Sequence, residues 1–169
     1  RTWWAGLYDD FMAHGISGVW NDMNEPADFV GPNHSVPLDL MHDNQGEPTS
    51  HLACHNIYGM QMARATLDGI KRARPGQRAF TMTRATYAGG QRFGASWTGD
   101  NISSWEHLQM SIPMVLNMGV SGLPFTGPDI GGFVGGATPE LYARWIQVGS
   151  LFPYCRTRPA WDNPDQEPW

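Results

Sequence analysis

Four acidic side chains, each placed just after a short apolar segment, are the residues of this sequence best suited to chemistry. They are Asp22, Glu25, Asp100 and Asp129. Two carboxyl groups can cleave a glycosidic bond when one is ionised and attacks the anomeric carbon while the other protonates the departing oxygen. An acid at the end of a strand can equally cap a helix or pair with an arginine. Position alone therefore leaves the role of each acid open.

The elements that must position these acids are helices alternating with short apolar strands. Helices are predicted at 2–14, 53–73 and 103–117 and after Thr138, and strands at 16–20, 78–84, 95–98 and 120–126. This alternation is typical of a parallel sheet covered by helices. Polar clusters that follow the strands belong to the face of a β/α barrel where active sites lie, and a whole barrel takes about 250 residues. The sequence therefore predicts an α/β fold, an incomplete (β/α)8 TIM-type barrel of about four strands with their helices.

Local patterns within the helices predict their faces and ends. The first helix is expected to share one face among Trp4, Leu7 and Phe11. Ser103 and Glu106 form a capping-box pattern at the start of the third helix. Thr138 followed by Pro139 is typical of a helix N-terminus, since proline is favoured at the first helical position.

Four short motifs occur in a fixed order between residues 18 and 133. They read GVWNDMNEP at 18–26, TRAT at 83–86, WTGDN at 97–101 and PDIGGF at 128–133. In that order they resemble the nucleophile segment, the arginine strand, the acid/base segment and a sugar-binding loop of glycoside hydrolase family 31. The resemblance runs from about Trp3 to the end of the chain.

This resemblance implies a role for each catalytic residue. Asp22 is expected to be the nucleophile that forms a covalent glycosyl-enzyme, and Asp100 the general acid/base. Glu25 is expected to support the nucleophile segment rather than attack. Arg84 presents a planar fork of donors beside the nucleophile.

The resemblance also implies which residues bind the terminal sugar. Arg84 and Asp129 are expected to hydrogen-bond its hydroxyls. The aromatic and thioether side chains expected to wall the pocket are Trp20, Met23, Trp97 and Phe133. One position departs from the family pattern, because Arg158 stands where the family usually has a histidine that reaches the sugar. Arginine is bulkier than histidine and cannot accept a hydrogen bond.

The implied function is hydrolysis of terminal α-linked glucosyl, or related α-glycosyl, residues with retention of configuration. Residues 1–169 are interpreted as a fragment of one catalytic barrel domain, with an α-linked oligosaccharide or glycoside as substrate and the remainder of the barrel as partner. The same site used by a transglycosylase, an α-xylosidase or an α-galactosidase is the nearest alternative. A metal-binding or non-catalytic carbohydrate-binding module is the alternative from another class.

Composition narrows the possible partners. Hydrophobic residues make up 41% of the chain and charged residues 16%, which is typical of a folded domain. The net charge of −5, with no block of like charges, argues against a nucleic-acid partner. No apolar run is long enough to predict a membrane span. Cys54 and Cys155 make no disulfide framework, which favours a cytoplasmic location.

A cluster of possible metal ligands lies within the long proline-containing segment and the start of the second helix. Its members are Asp39, His42, Asp43, His51, Cys54 and His55. His51 and His55 are one helical turn apart, as zinc ligands can be. The acid of an HExxH motif is missing, and Gly46 and Pro48 favour a solvated loop. No metal and no cofactor is therefore predicted.

Overall fold

Residues 1–31 and 34–166 are described by the structure, a computed structural model, and the chain divides into two units, Arg1–Ala95 and Ser96–Trp169. The first unit contains helices α1 (Thr2–Gly6), α2 (Tyr8–Ala13) and α3 (His51–Ala73) and strands β1 (Gly18–Asn21), β2 (Met41–His42), β3 (Thr49–Ser50) and β4 (Phe80–Thr83). Strand β5 (Ala95–Ser96) stands at the boundary, and the second unit contains α4 (Trp105–Val120), β6 (Asp129–Ile130), α5 (Pro139–Gly149) and β7 (Arg156–Thr157).

Strands β1 and β4 form the parallel pair that organises the first unit. Their register runs from Gly18 opposite Phe80 to Asn21 opposite Thr83. Helix α3 lies between the two strands in sequence, as a parallel pair requires, because no tight turn can join parallel neighbours. The predicted parallel arrangement of strands and helices is therefore confirmed in this unit.

The N-terminal helix differs from its prediction in both continuity and orientation. The chain forms two short helices, α1 and α2, separated at Leu7. Leu7 and Phe11 are exposed, so the predicted apolar face is wrong, and the buried side chains are instead Ala5, Tyr8 and Met12. Close packing of α3 on Ala5 explains why this face of the N-terminal helices, and not the predicted one, is buried. A Cβ on Gly69 of α3 would lie 2.7 Å from the Ala5 carbonyl oxygen, so the glycine lets the backbones approach.

The long segment after Pro26 contains a small hairpin that the sequence pattern did not predict. Strands β2 and β3 pair antiparallel, with Met41 opposite Ser50 and His42 opposite Thr49. The hairpin leads directly into α3, whose first residue, His51, is wholly buried. Residues 43–48, which include Gly46 and Pro48, are exposed as expected. His51 is not, because the segment that precedes the helix covers its first turn.

Helix α4 begins one residue later than its capping pattern predicts. Ser104, not Ser103, is the N-cap, and its Oγ accepts a hydrogen bond from the backbone N–H of His107 at 3.2 Å. The Ser103 hydroxyl donates instead to the Gly131 carbonyl at 2.7 Å. Ser103 thus serves the fold by a long-range contact, which a local pattern does not reveal.

The strand predicted at 120–126 is not formed, because α4 extends to Val120. The nearby backbone does carry two strand-like bonds, from Ser96 N–H to Phe125 O at 3.1 Å and from Thr98 N–H to Gly127 O at 3.2 Å. The next strand is β6, which pairs parallel with β7. Helix α5 has the predicted cap, since Thr138 Oγ1 accepts from Leu141 N–H.

The second unit has its own apolar core. It is formed by Leu108, Ile130, Leu141 and Trp145. Within the described residues, none of the helices combines the length and apolar character that crossing a bilayer requires.

Candidate active site

Asp22 and Arg84 meet because they follow the paired strands β1 and β4. Asn21 and Thr83 are opposite each other in the register, so the next residue of each strand leaves the sheet at the same edge. Arg84 Nε lies 3.3 Å from Asp22 Oδ1. The Met23 N–H also donates to Asp22 Oδ1, at 2.9 Å. Two donors therefore fix the orientation of this half-buried carboxylate.

Glu25 binds the same guanidinium with both carboxylate oxygens. Arg84 Nε donates to Glu25 Oε1 at 2.9 Å, and Arg84 Nη2 donates to Glu25 Oε2 at 3.1 Å. Paired bonds of this type fix the plane of a guanidinium as well as its position. Glu25 is thus engaged with Arg84, and Arg84 in turn holds Asp22.

Asn24 is a residue of this site that the sequence analysis quoted in a motif without giving it a role. Its side chain is almost wholly buried. Asn24 Nδ2 donates to Thr83 Oγ1 at 2.8 Å and to the Gly59 carbonyl at 3.3 Å. It therefore ties the segment after β1 to both β4 and α3. Its position between Asp22 and Glu25, in the polar cluster that follows an apolar strand, is the sequence signal that could have identified it.

Asp22 lies on the wall of an open pocket in the first unit. The pocket has a volume of about 420 Å³. It is lined by Trp4, Leu7, Tyr8, Phe11, Val19, Trp20, Asn21, Asp22 and Met62. Leu7 and Phe11, which lie on the exposed face of the N-terminal helices, are among the lining residues. Met23 is exposed and has a positive φ of 54°, a conformation that few residues other than glycine adopt.

In the second unit, the segment that carries Asp100 is fastened to β6 through Asn101. Asn101 Nδ2 donates to the Asp129 carbonyl at 3.0 Å, and the Asp129 N–H donates to Asn101 Oδ1 at 3.1 Å. The Asn101 carbonyl accepts from the Phe133 N–H at 2.7 Å. Asp100 itself is exposed. A rigid backbone thus presents an accessible carboxyl group.

Asp129 is wholly buried and faces β7. Its Oδ1 forms an ion pair with Arg156 Nη2 at 2.6 Å, because Asp129 and Arg156 are opposite each other in the β6–β7 register. Burial raises the pKa of Asp129 to about 6, although Arg156 and Arg158 lower it, and the charge of Asp100 adds to the increase. Asp129 Oδ2 has no hydrogen-bond partner among the described residues. The role of Arg156 as this partner was not anticipated from the sequence.

Two further predicted site residues, Arg158 and Phe133, lie together. The Arg158 guanidinium carbon is 5.3 Å from the centre of the Phe133 ring, within the range of a cation–π contact. Trp97 is only 2% exposed, so it offers little open surface within the second unit.

The predicted site residues thus form two groups, one in each unit. Trp20, Asp22, Met23, Glu25 and Arg84 gather at the end of the β1–β4 pair. In the second unit, the backbone of Asp129 bonds to Asn101, next to Asp100, while Phe133 contacts Arg158. Within residues 1–31 and 34–166, no group of three or more His, Cys, Asp or Glu side chains is placed to hold a metal ion.

Comparison with known proteins finds similarity along the whole chain. The sequence model of the glycosyl hydrolases family 31 TIM-barrel domain matches residues 1–169. Alpha-glucosidase 2 of Bacillus thermoamyloliquefaciens is 47% identical over 169 residues, which is 100% of this chain and 21% of that protein.

Solved structures agree with this match. A glucosidase II alpha subunit bound to alpha3-Glc2 superposes with a TM-score of 0.90 at 41% identity, over 98% of this chain and 18% of that one. A Flavobacterium johnsoniae family 31 dextranase complexed with glucose gives 0.87 at 31% identity, over 99% of this chain and 21% of that one. The chain therefore spans about a fifth of the length of the relatives it matches.

Proposed function

Because this chain belongs to glycosyl hydrolase family 31 and has the fold of part of that family's TIM barrel, we propose that its protein hydrolyses terminal α-linked glucosyl residues with retention of configuration. The single observation that carries the proposal is the Asp22–Arg84–Glu25 arrangement beside an open pocket. An oriented carboxylate on a pocket wall is what attack on an anomeric carbon requires.

Asp22 is the proposed nucleophile. Its carboxylate attacks the anomeric carbon of the terminal sugar, and the bond from that carbon to the departing glycosidic oxygen breaks. The Met23 N–H and Arg84 hold Oδ1 and so fix the orientation of the attacking carboxylate. Glu25 is the weaker candidate, because Arg84 engages both of its oxygens.

Asp100 is the proposed general acid/base. In the first step its carboxyl proton passes to the departing oxygen, so the leaving group departs as an alcohol. In the second step the Asp100 carboxylate takes a proton from water as that water attacks the anomeric carbon and releases Asp22. Asp100 suits both steps because it is exposed, while Asn101 fixes its backbone. Retention requires the two carboxyl groups to lie about 5–5.5 Å apart in the complete site.

Asp129 is a proposed ligand for a sugar hydroxyl. Its buried Oδ2 has no donor among the described residues, and a hydroxyl group of the substrate would supply one. Arg84 is proposed to donate to other hydroxyls. The apolar surfaces of Trp20, Met23 and Phe133 are proposed to pack against the sugar ring, whereas the buried Trp97 is proposed to support the pocket wall from behind.

Glucose is the sugar that the comparisons favour. One similar structure was solved with alpha3-Glc2 and another with glucose. Arg158 could alter this preference for glucose, because its guanidinium only donates hydrogen bonds, whereas the histidine usual at this position can also accept one. Initial rates on aryl α-glucoside, α-xyloside and α-galactoside, with product analysis for transfer to a second sugar, would rank the substrates.

We also propose that residues 1–169 form part of one larger barrel domain. The second unit carries an apolar groove of about 810 Å³ between α4 and the segment that follows α5. Leu116, Val120 and Leu151 on this groove are all strongly exposed. Apolar surface of this extent is normally covered in a folded domain, and the remainder of the barrel is the proposed cover.

Kinetics of two variants in the complete protein test the mechanism. Asp22→Ala is expected to abolish turnover of every α-glucoside, because no glycosyl-enzyme forms. Asp100→Ala is expected to lose turnover of alkyl glucosides by about 10²–10⁴-fold, yet to retain the first step on an aryl glucoside whose leaving group needs no proton. Added azide should restore the second step and yield a glycosyl azide.

Asp162→Ala, which removes an exposed carboxylate from the second unit, is the matched control and should leave both substrates unaffected. Equal losses on alkyl and aryl glucosides in Asp100→Ala, without rescue by azide, would remove Asp100 from the acid/base role. Undiminished turnover in Asp22→Ala would remove Asp22 as the nucleophile.

A further inference from the structure

Three histidine rings in the first unit form a continuous chain outside the proposed active site. His42 Nε2 lies 2.9 Å from His51 Nδ1, and His51 Nε2 lies 2.9 Å from His55 Nδ1. His51 is wholly buried, and both of its ring nitrogens are used. The two contacts leave from opposite nitrogens of the central ring, so this is a hydrogen-bonded chain and not a set of ligands around one ion.

The histidine chain connects the β2–β3 hairpin to the first turn of α3. His42 belongs to β2, while His51 and His55 are one turn apart on α3. Two backbone bonds reinforce the same junction, from the His51 N–H to the Leu40 carbonyl at 2.7 Å and from the Leu52 N–H to the Leu38 carbonyl at 2.8 Å.

We propose that the histidine chain His42–His51–His55 is a proton-sensitive latch, which holds the segment 34–50 on α3 when neutral and releases it on acidification. The proposal is independent of the glycosidase activity. It follows from the number of protons that the three rings can hold while both contacts between them remain formed.

Each contact between ring nitrogens requires one N–H donor and one bare nitrogen as acceptor. Three neutral rings satisfy both contacts when their N–H groups all point in the same direction along the chain. One added proton is also accommodated, because a doubly protonated His51 donates to both neighbours. A second added proton places two N–H groups against each other at one contact. Three separate histidines in an opened segment have no such restriction, so acid favours opening.

The surroundings of His51 further oppose a positive charge. Burial, followed by the charges of His55 and His42, lowers the pKa of His51 below its usual 6.5. The N-terminus of α3 adds the positive end of a helix dipole, and Ser50 gives it no side-chain cap.

Two uncharged groups of the described residues contact the histidine chain. Tyr58 on α3 has its ring 5.6 Å from that of His42 and 5.9 Å from that of His51. Ser35 Oγ, from the segment before the hairpin, lies 3.5 Å from His51 Nε2. Among the ion pairs of the described residues, none involves a carboxylate and one of these three rings. Within that part of the chain, a charged ring therefore gains no ion pair with a carboxylate.

Hydrogen exchange measured by mass spectrometry on the complete protein tests the latch. The readout is the protection factor of a peptide covering 38–52, corrected for the intrinsic pH dependence of exchange. Between pH 7.5 and pH 5.0 the protection is expected to fall by about tenfold or more, because each linked proton changes an opening equilibrium by up to about tenfold per pH unit. A peptide from α4 should keep its protection.

Single substitutions distinguish the latch from a general effect of acid. His42→Gln and His55→Gln are expected to lower protection already at pH 7.5 and to reduce its further decrease at pH 5.0. His14→Gln, which changes an exposed histidine at the end of α2, should behave as wild type. A wild-type peptide equally protected at both pH values overturns the proposal, as does an undiminished pH dependence in both latch variants.

Exchange of the imidazole C2 hydrogens reports the titration of each histidine ring in the wild-type protein. It therefore tests the latch even if a variant does not fold. His51 is expected to titrate below pH 6.5, and exchange at the exposed His14 is measured alongside it as the internal reference. Titration of His51 at or above pH 6.5 overturns the latch.

Discussion

Arg84 is the side chain on which the geometry of the first unit depends. Its Nε contacts carboxylates from two residues of the segment after β1, Asp22 at 3.3 Å and Glu25 at 2.9 Å. One guanidinium therefore sets the spacing between a proposed nucleophile and its support. Arginine suits this task better than lysine, because its planar fork fixes direction as well as charge.

Asp129 illustrates the opposite situation, a carboxyl group whose burial outweighs its ion pair. Two cations act on it and its pKa is nevertheless about 6. Removing a carboxylate from water disfavours its charged form, and a single close partner restores only part of the lost solvation. A hydrogen bond from a bound hydroxyl to the buried Oδ2 would favour the ionised form.

Asp129→Asn is expected to change how stability depends on pH. The folded pKa of about 6 lies above the ordinary 3.8, so the stability that Asp129 contributes is complete below pH 3.8 and is lost as the pH rises through about 6. Relative to wild type, Asp129→Asn should therefore gain stability between pH 4 and pH 7, by at most about 3 kcal/mol at about 1.4 kcal/mol per pKa unit. Thermal midpoints at both pH values measure this difference.

Asp162→Asn, which alters an exposed acid of the same unit, should follow the wild-type curve. A difference between Asp129→Asn and wild type that stays constant from pH 4 to pH 7 would contradict the raised pKa.

At the scale of the elements, α3 is the helix that supports the proposed nucleophile segment. Gly59 is the point of closest approach, and its carbonyl accepts a hydrogen bond from Asn24 Nδ2. A Cβ at Gly59 would overlap the Ala85 carbonyl oxygen, and it would lie 2.6 Å from Ala85 Cβ and 2.8 Å from the Asn24 carbonyl oxygen. Only glycine lets the helix pass this close to both strand ends.

Gly59→Ala is therefore expected to displace α3 from the nucleophile segment. The free energy of unfolding should fall by about 1–3 kcal/mol, as for other overpacked cores, and kcat on an aryl α-glucoside should fall with it. Thermal unfolding and initial rates of the complete protein measure the two effects.

Gly6→Ala is the matched control for this substitution. Gly6 also lies within a helix, and a Cβ there meets nothing within 4 Å. Alanine in place of an unhindered helical glycine should be neutral or stabilising by up to about 1 kcal/mol. If Gly59→Ala behaved in the same way, the close approach of α3 would carry no structural role.

At the scale of the whole molecule, each of the two units carries exposed apolar side chains. The groove beside α4 includes Val120, which is 87% exposed, and Leu151, which is 85% exposed. In the first unit Trp3 is 73% exposed. Such surface favours association with other protein when it is left uncovered.

Residues 1–169 expressed alone are expected to be inactive and to self-associate. Uncovered apolar surface promotes association, and an incomplete set of sugar contacts reduces transition-state binding even if both acids are present. Size-exclusion chromatography with an aryl α-glucoside assay measures both properties. A monodisperse monomer that turns over the substrate well above background would show that these residues suffice, and the proposed larger barrel would be unnecessary.

The sequence by itself determined the family, most of the helices and the two strands that directly precede Asp22 and Arg84. These features depend on local order: helical spacing predicted α3, the Thr138–Pro139 pattern predicted α5, and the four motifs carried the resemblance that the comparisons confirm. Thr138 capped its helix as predicted, because a cap involves only the neighbouring turn.

The tertiary structure alone decided which residues of each element face the core and which polar groups meet. Gly69 allows the close packing of α3 on Ala5, the Ser103 hydroxyl bonds to the Gly131 carbonyl instead of capping α4, and Arg156 pairs with Asp129 on the neighbouring strand. Each depends on a partner at least 27 residues away in sequence, as the 27-residue separation of Asp129 and Arg156 shows. The energy of such a contact depends on packing between elements, and no local pattern contains that information.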